Sequence, residues 1–394
     1  MKTVFHRCIQ PVSAAVILCA AFLSKTAWGA DSIFVNNPSF QADQFPAYPG
    51  YTGNGNPGEI SGWIGSGGHG VNQNNGGPGS PFGDNGVYPD SNMIAFIQGT
   101  GSLSQTLDGF EPGALYWIQG FENARSATDR DIPAVTWSMD GIVIRPETIL
   151  TPAGGSNPYY FVNQSWIAPA SSATLSINTR ASLGGDATVV LDGFSVIKRT
   201  TSDIVIMNPS FEASGANLPP AVGYFSTNGP GSEVAGWTRL ANTNGNVAVN
   251  SIGGPFLDSG VVPEGNNVLI LQNATGVSQT LQGLTLGSSY QLTLSYAGRD
   301  NGEDPHIRIS IENQVAFDAF VPAVGAGNAY NALTYNFTAT GSSTTLILES
   351  LGSGADSSAF FDNIRVVAIP EPASLSLLGL AAATLLVRRR KLNS

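Results

Sequence analysis

The sequence predicts an all-β protein made of two tandem antiparallel β-sandwich domains. Three observations carry that prediction. Apolar and polar residues alternate with a period of two along several stretches. Glycine supplies 47 of 394 residues and charged residues only 11%, a composition of many turns and few helical surfaces. The landmarks of the first half also return in the second at a nearly constant spacing.

The alternation is clearest in the second half. Tyr290, Leu292, Leu294 and Tyr296 alternate with Gln291, Thr293 and Ser295. Ile307, Ile309 and Ile311 alternate with His306, Arg308 and Ser310, and Leu333, Tyr335 and Phe337 with Thr334, Asn336 and Thr338. One apolar face per strand means strands half-buried against a core. Segments rich in Gly, Asn, Ser and Pro, such as residues 72–79, read as loops. So does the Gly-Ser-Gly-Gly-His-Gly run that makes His69 a solvated loop residue. No helical period of useful length appears between the two ends, and antiparallel strands without helices imply two stacked sheets.

The duplication is read from its landmarks. Asn37-Pro38-Ser39-Phe40 recurs as Asn208-Pro209-Ser210-Phe211, and Gly62-Trp63 as Gly236-Trp237. Ser104-Gln105-Thr106-Leu107 recurs as Ser278-Gln279-Thr280-Leu281. Tyr116 matches Tyr290, Arg125 matches Arg299, and Asp192 matches Asp362, with offsets between 170 and 174. That period is a whole domain rather than a solenoid unit. It places the domains at 31–199 and 200–369.

The ends read as targeting segments. Lys2 and Arg7 precede an apolar stretch from Ile9 to Leu23, followed by small residues at Ala27 and Gly29. This is the pattern of a signal peptide over residues 1–30, cut after Gly29 or Ala30. Both cysteines, Cys8 and Cys19, lie within it, so the exported body has no disulfide and no thiolate. At the other end, residues 370–394 hold Pro370-Glu371-Pro372, an apolar run from Ala373 to Val387, and Arg388, Arg389, Arg390 and Lys391. As a transmembrane helix the run spans about 22 Å, short for a hydrocarbon core of about 30 Å. The basic cluster marks the cytoplasmic side. This tail resembles the PEP-CTERM sorting signal of Gram-negative bacteria. The resemblance implies an exosortase-type sorting enzyme as partner and attachment to the inner membrane before processing. It also implies a destination in the cell envelope, at the surface or in the extracellular matrix.

Seven of the 17 Lys+Arg lie in the two ends, leaving ten in the body against 27 of the 28 Asp+Glu, a body charge of −17. That excludes nucleic acid as a partner, which needs clustered cations, and suits a protein that holds divalent cations.

Within the body, a second resemblance rests on an ordered series. Asn-Pro-Ser-Phe-Glu at 208–212, Gly236-Trp237, Ser-Gln-Thr-Leu at 278–281, Gly287-x-x-Tyr290 and Phe-Asp-Asn-Ile at 361–364 occur in that order. The series is similar to the carbohydrate-binding modules of the galactose-binding-like jelly-roll type. The first half follows it more loosely, with Gln41 for Glu212 and Leu191-Asp192-Gly193-Phe194 as its closing strand. The resemblance implies jelly-roll sandwiches and a binding role more often than catalysis.

The same resemblance implies a structural calcium at Glu212 and Asp362. One ends the first strand of the repeat and the other opens the last, so a sheet edge can bring both carboxylates together for an ion that wants six to eight oxygens. Alternatively, Asp362 caps a turn and Glu212 is solvated. The first half offers Asp192 with neutral Gln41, a weaker pair.

Ligand candidates come from strand phase. Trp117, Gln119 and Phe121 share the face opposite Tyr116 and Ile118, so Trp117 and Phe121 form a platform for a sugar ring unless a loop covers that sheet. Arg125 and Arg299 end equivalent strands, and His306 and Arg308 add polar groups nearby. Arg299 alternatively pairs with Asp300 or Asp304. Enzyme motifs are thin. The body holds only His69 and His306, with no Gly-x-Ser-x-Gly elbow, His-Glu-x-x-His or phosphate loop. The leading expectation is a non-catalytic surface protein whose tandem modules contact extracellular polysaccharide. A matrix or adhesion spacer without sugar affinity and a secreted hydrolase are the rivals.

Overall fold

The computed structural model describes residues 31–43, 60–73, 86–90, 93–125, 132–155, 157–181, 187–214, 224–227 and 234–370, apart from 242, 244, 253, 257–259, 301, 353 and 355. The expected signal helix and transmembrane helix lie outside the described residues, as do Glu371, Pro372, Arg388, Arg389 and Arg390. No helix among the described residues is long and apolar enough to cross a membrane.

The chain is all-β. In the first half, β1 (Ser32–Ile33), β2 (Ile64–Gln73), β3 (Met93–Asp108), β4 (Leu115–Ala124), β5 (Pro133–Met139), β6 (Ile142–Ile149), β7 (Tyr160–Ile167), β8 (Ser172–Ala181) and β9 (Thr188–Arg199) form one bonded sheet folded into two layers. β3 makes the fold. Ala95–Gln98 pair with β9 in one layer, and Gly101–Asp108 pair with β8 in the other. Gly99, with φ of 69°, turns the strand between them.

The second half repeats this order with the corner broken. β10 (Tyr224–Thr227), β11 (Thr238–Arg239), β12 (Asn246–Ser251), β13 (Asn267–Gln272), β14 (Thr275–Gln282), β15 (Ser289–Gly298), β16 (His306–Ile311), β17 (Gln314–Phe320), β18 (Asn331–Thr338), β19 (Ser343–Ser350) and β20 (Ser358–Ala368) complete the chain. They form two sheets, β10-β12-β13-β20-β15-β18 and β11-β14-β19-β16-β17. Asn273, with φ of 61°, stands where Gly99 does and separates β13 from β14. All strand pairings are antiparallel, and no strand ladder among the described residues joins the two halves.

Alternation places the core. Leu292, Leu294, Ile307, Ile309, Ile311, Leu346, Leu348, Phe361 and Ile364 fill the space between the two sheets of the second half. The first half is filled by its counterparts, with Trp63 and Trp137 each packing on Phe194 at ring-centroid distances of 5.0 and 5.3 Å.

The repeated landmarks are a clasp, not a first strand. Asn-Pro-Ser-Phe forms a turn with left-handed backbone at both ends, Asn37 and Phe40 at φ of 50° and 62°, Asn208 and Phe211 at 47° and 61°. Left-handed backbone is costly for a Phe and persists only when the surroundings fix it. They do so identically in each half. Trp63 and Trp237 donate their indole N–H to the carbonyls of Asn37 and Asn208, each at 3.2 Å. The Asn side chains accept the N–H of Ala42 and Ala213 at 3.0 and 2.9 Å. Gln279 accepts the N–H of Met207 at 2.8 Å and donates to the carbonyls of Met207 and Gly236 at 3.0 and 2.8 Å. Gln105 does the same for Asn36 and Gly62. Gln279→Ala orphans these buried groups, and urea unfolding should show a loss of about 2–3 kcal/mol.

Two expectations change here. Glu212 sits in this turn and not at a strand end. The run around His69 is strand β2, not a loop. Glycine permits that strand because Gly67, with φ of 69°, approaches Thr100 so closely that a Cβ would meet its carbonyl oxygen at 2.4 Å.

Candidate functional site

The turn delivers Glu212 to the segment before β13, where its Oε1 accepts the N–H groups of Asn266 and Asn267 at 2.8 and 2.7 Å. Asp362, in β20, reaches the same segment from the sheet. Its Oδ2 accepts the Glu264 N–H at 2.8 Å and its Oδ1 that of Asn363 at 2.7 Å. Both carboxyls are buried. Burial pushes the Glu212 carboxyl up to about 8 against the pull of its two N–H donors, and the charge of Glu264 adds to the rise. Asp362 is held well above the usual carboxylate range by burial, then by Glu264 and Glu212.

Glu264 is a third carboxylate that strand reasoning missed. It is buried, accepts the Ser32 hydroxyl at 2.8 Å through Oε1, and leaves Oε2 without a hydrogen-bond partner. Burial raises its carboxyl, and the charge of Arg199 opposes that. In the first half Asp90 takes this place, its N–H bonded to Asp192 Oδ2 at 3.0 Å. Gln41 replaces the missing charge with an amide that donates to Ser39 O at 3.2 Å and Met93 O at 3.5 Å. The signal was present: Tyr88-Pro89-Asp90 recurs as Val262-Pro263-Glu264 at the same offset as the tryptophans. Among the described residues, no three His, Cys, Asp or Glu side chains converge as a metal cluster. The donors here are hard oxygens, and no cationic side chain lowers Glu212 or Asp362.

The expected Trp117–Phe121 platform is not exposed. Trp117, Gln119 and Phe121 are all buried, and the second half lies over this face at Gln119 and Phe121. Gln119 donates to Ile206 O at 3.0 Å and to Asn163 Oδ1 at 3.0 Å, and accepts the Asn208 N–H at 3.2 Å. Phe121 packs in a cluster that includes Ala213 and Ala235. Ser32 completes the seam through Ser210 at 2.9 Å and Glu264. Strand phase identifies a face but not what covers it.

The equivalent sheet face of the second half presents Gln291, Thr293 and Ser295, each half-buried. At one end of that sheet, Arg299 pairs with Asp356, not with Asp300 or Asp304, and its guanidinium lies 4.3 Å from the ring centre of Phe256. Gln272 donates to the same carboxylate, and Asn246 donates to Gln272 Oε1 at 3.0 Å. The result is a row of amide, amide, carboxylate and guanidinium beside an aromatic ring. Arg125 occupies the matching position of the first half, where its N–H bonds Thr188 O at 2.9 Å. His306 and Arg308 are not part of this row. They lie on the other sheet, both paired with Asp318.

A second feature missed from sequence is inside the first core. Glu122 is fully buried, pairs with Arg145 and accepts the Trp137 indole N–H at 3.0 Å. Burial raises its carboxyl, opposed by the Arg145 contact and then the Trp137 bond.

Comparison with known proteins follows this division. Among solved structures, the chain is similar to a Stig cyclase, Fisc from Fischerella sp. TAU, at 20% identity and a TM-score of 0.34, over 44% of this chain and 100% of that one. It is similar to the tandem CBM22-1–CBM22-2 domain of Paenibacillus barcinonensis Xyn10C at 12% identity and a TM-score of 0.27, over 88% and 100%. It is also similar to TmCBM61, solved with β-1,4-galactotriose, at 12% identity and a TM-score of 0.26, over 42% and 99%. At such TM-scores the likeness bears on neither ligand nor reaction. No curated protein matches the chain. A family model described as "Protein of unknown function (DUF642)" matches residues 205–369, and a PEP-CTERM protein-sorting motif matches residues 368–391. The chain therefore carries a DUF642 domain as its second half and ends in a PEP-CTERM motif, which marks it for exosortase processing and export to the cell envelope.

Proposed function

We propose that this is a non-catalytic surface protein that binds extracellular polysaccharide through its second half. In this reading residues 1–30 are a removed signal peptide. Residues 31–199 and 200–369 are the tandem modules, and the apolar tail crosses the inner membrane before processing. The observation that carries the proposal is the row Asn246, Gln272, Asp356, Arg299 and Phe256. A sugar presents hydroxyls at its rim, and this row offers them fixed donors and acceptors, while the buried Phe256 beneath holds the Arg299 guanidinium in place. Arg299 and Asp356 hold each other in place, so little freedom is lost on binding. The first half has turned the corresponding face toward the second and acts as a spacer.

Glu212 and Asp362 would hold a structural Ca²⁺ against the segment before β13. Carboxylates have spare lone pairs after accepting N–H bonds, and a dication supplies the charge that neither has nearby. The ion's part is to tie the Asn-Pro-Ser-Phe turn to the last strand.

Affinity electrophoresis through gels containing neutral polysaccharides tests the binding. Arg299→Ala should weaken retention at least tenfold. Its melting temperature should fall only modestly, because the pair is part-buried and Asp356 keeps the Gln272 amide as a donor when Arg299 is removed. Retention equal to that of the parent protein removes the row from the binding site.

A further inference from the structure

The outer sheet of the second half carries a second feature that the Arg299 row does not use. Along β16, Ile307, Ile309 and Ile311 are fully buried, while His306, Arg308 and Ser310 face outward. Opposite His306 in register stands Phe320, 67% exposed. The two rings stack with centroids 4.6 Å apart and planes at 24°. Asp318 joins His306 Nε2 to Arg308 Nε, the latter at 3.0 Å, and Glu349 lies opposite Arg308 on β19. A lone exposed Phe needs no explanation. This one is fixed by a stacked imidazole, and that imidazole by a carboxylate.

The first half supplies an internal control. The same ladder positions there are Ala134 for His306, Ile149 for Phe320 and Thr136 for Arg308. The sandwich therefore needs neither the aromatic ring nor the charged trio at this place.

We propose that Phe320, His306, Arg308 and Asp318 form a carbohydrate-binding platform for a neutral glycan, on the sheet opposite the Arg299 row. His306 covers one face of the Phe320 ring and leaves the other to stack on the C–H face of a pyranose. Arg308 and Asp318, both partly exposed, offer donors and acceptors to its hydroxyls. The class is neutral because the lone Arg308 is matched by Asp318 and Glu349, and the body's net charge of −17 repels polyanions. A protein partner fits less well. Near Phe320 the prominent exposed apolar side chain on this face is Val315, far short of the roughly 800 Å² per partner that a stable interface buries.

Cellohexaose, xylohexaose and β-1,4-galactohexaose titrated into the exported protein by calorimetry test this. Phe320→Ala should weaken at least one of them tenfold or more and lower the number of bound sugars per chain. Arg299→Ala should leave that Phe320-dependent site intact, which separates this proposal from the one above. His306→Ala should weaken it less than Phe320→Ala. Phe320 is exposed, so melting temperatures should be unchanged. Three outcomes overturn the platform. The three sugars could bind Phe320→Ala and the parent alike, none could bind the parent, or Phe320→Ala could change only the sedimentation coefficient, which would make the ring a self-association contact.

Discussion

In EDTA the protein should lose stability as pH rises from about 4.5 to about 8, and calcium should abolish that loss. Glu212 carries the effect. Its carboxyl is raised to about 8 in the folded chain, while in the unfolded chain it titrates near its ordinary value. A raised folded-state value means the native protein binds the extra proton, so its stabilisation is complete at low pH and disappears as pH climbs through the folded value. The span corresponds to roughly 3–5 kcal/mol. Asp362 is shifted in the same direction by burial and by its acidic neighbours, so it steepens the slope. A Ca²⁺ bound between the two carboxylates would replace the protons and flatten the curve. At a hundredfold excess over Kd it adds about 2.7 kcal/mol. Glu212→Gln should behave like the first half, where Gln41 already stands. Its Oε1 can still accept the Asn266 and Asn267 N–H groups, so the calcium response should vanish and the pH slope should shrink to the part that Asp362 carries. Denaturant midpoints measured at pH 5, 6.5 and 8, with EDTA and with calcium, decide it. Identical midpoints with and without calcium at pH 8 remove the ion. A flat EDTA series means Glu212 is not a buried acid.

Much of the fold was legible because each strand has one apolar face. The alternation at 290–296, 306–311 and 333–338 gave β15, β16 and β18, and the repeated landmarks gave two copies of one strand order. Local pattern failed where conformation or cover is decided from afar. Nothing in Asn-Pro-Ser-Phe shows that its Phe adopts left-handed backbone, because the indole and the Gln that enforce it come from 26 and 69 or more residues away. Phase placed Trp117, Gln119 and Phe121 together correctly. The surface that covers Gln119 and Phe121 belongs to the other half and leaves no mark on β4. Arg299 was expected to choose a neighbour in sequence, yet its partner is 57 residues on, delivered by the turn before β20. The acids of the candidate calcium site were half visible, Glu212 and Asp362 by motif and Glu264 only by noticing the repeated Pro-acid pair.

The buried pair in the first core gives the other large effect: Arg145→Met should destabilise the protein by about 3–5 kcal/mol at pH 7, the usual cost of stranding one member of a buried ion pair. Glu122 has no solvent to turn to and keeps only the Trp137 indole N–H. Without Arg145 its carboxyl moves further up, so the variant should regain stability as pH falls toward about 4.5, where the unfolded chain takes up the same proton. The second half shows that the fold does not require the charge. The ladder positions of Glu122 and Arg145 are there filled by Tyr296 and Phe317, whose rings lie 4.7 Å apart. Removing both charges should therefore be far milder than removing one. In the double variant Glu122→Gln with Arg145→Met, the glutamine oxygen can still accept the Trp137 N–H, and most of the lost stability should return. Urea unfolding of the two variants at pH 7 and pH 5 is the test. If Arg145→Met unfolds at the parent midpoint at both pH values, the pair contributes nothing, and the packing of Trp63 and Trp137 on Phe194 alone holds that core.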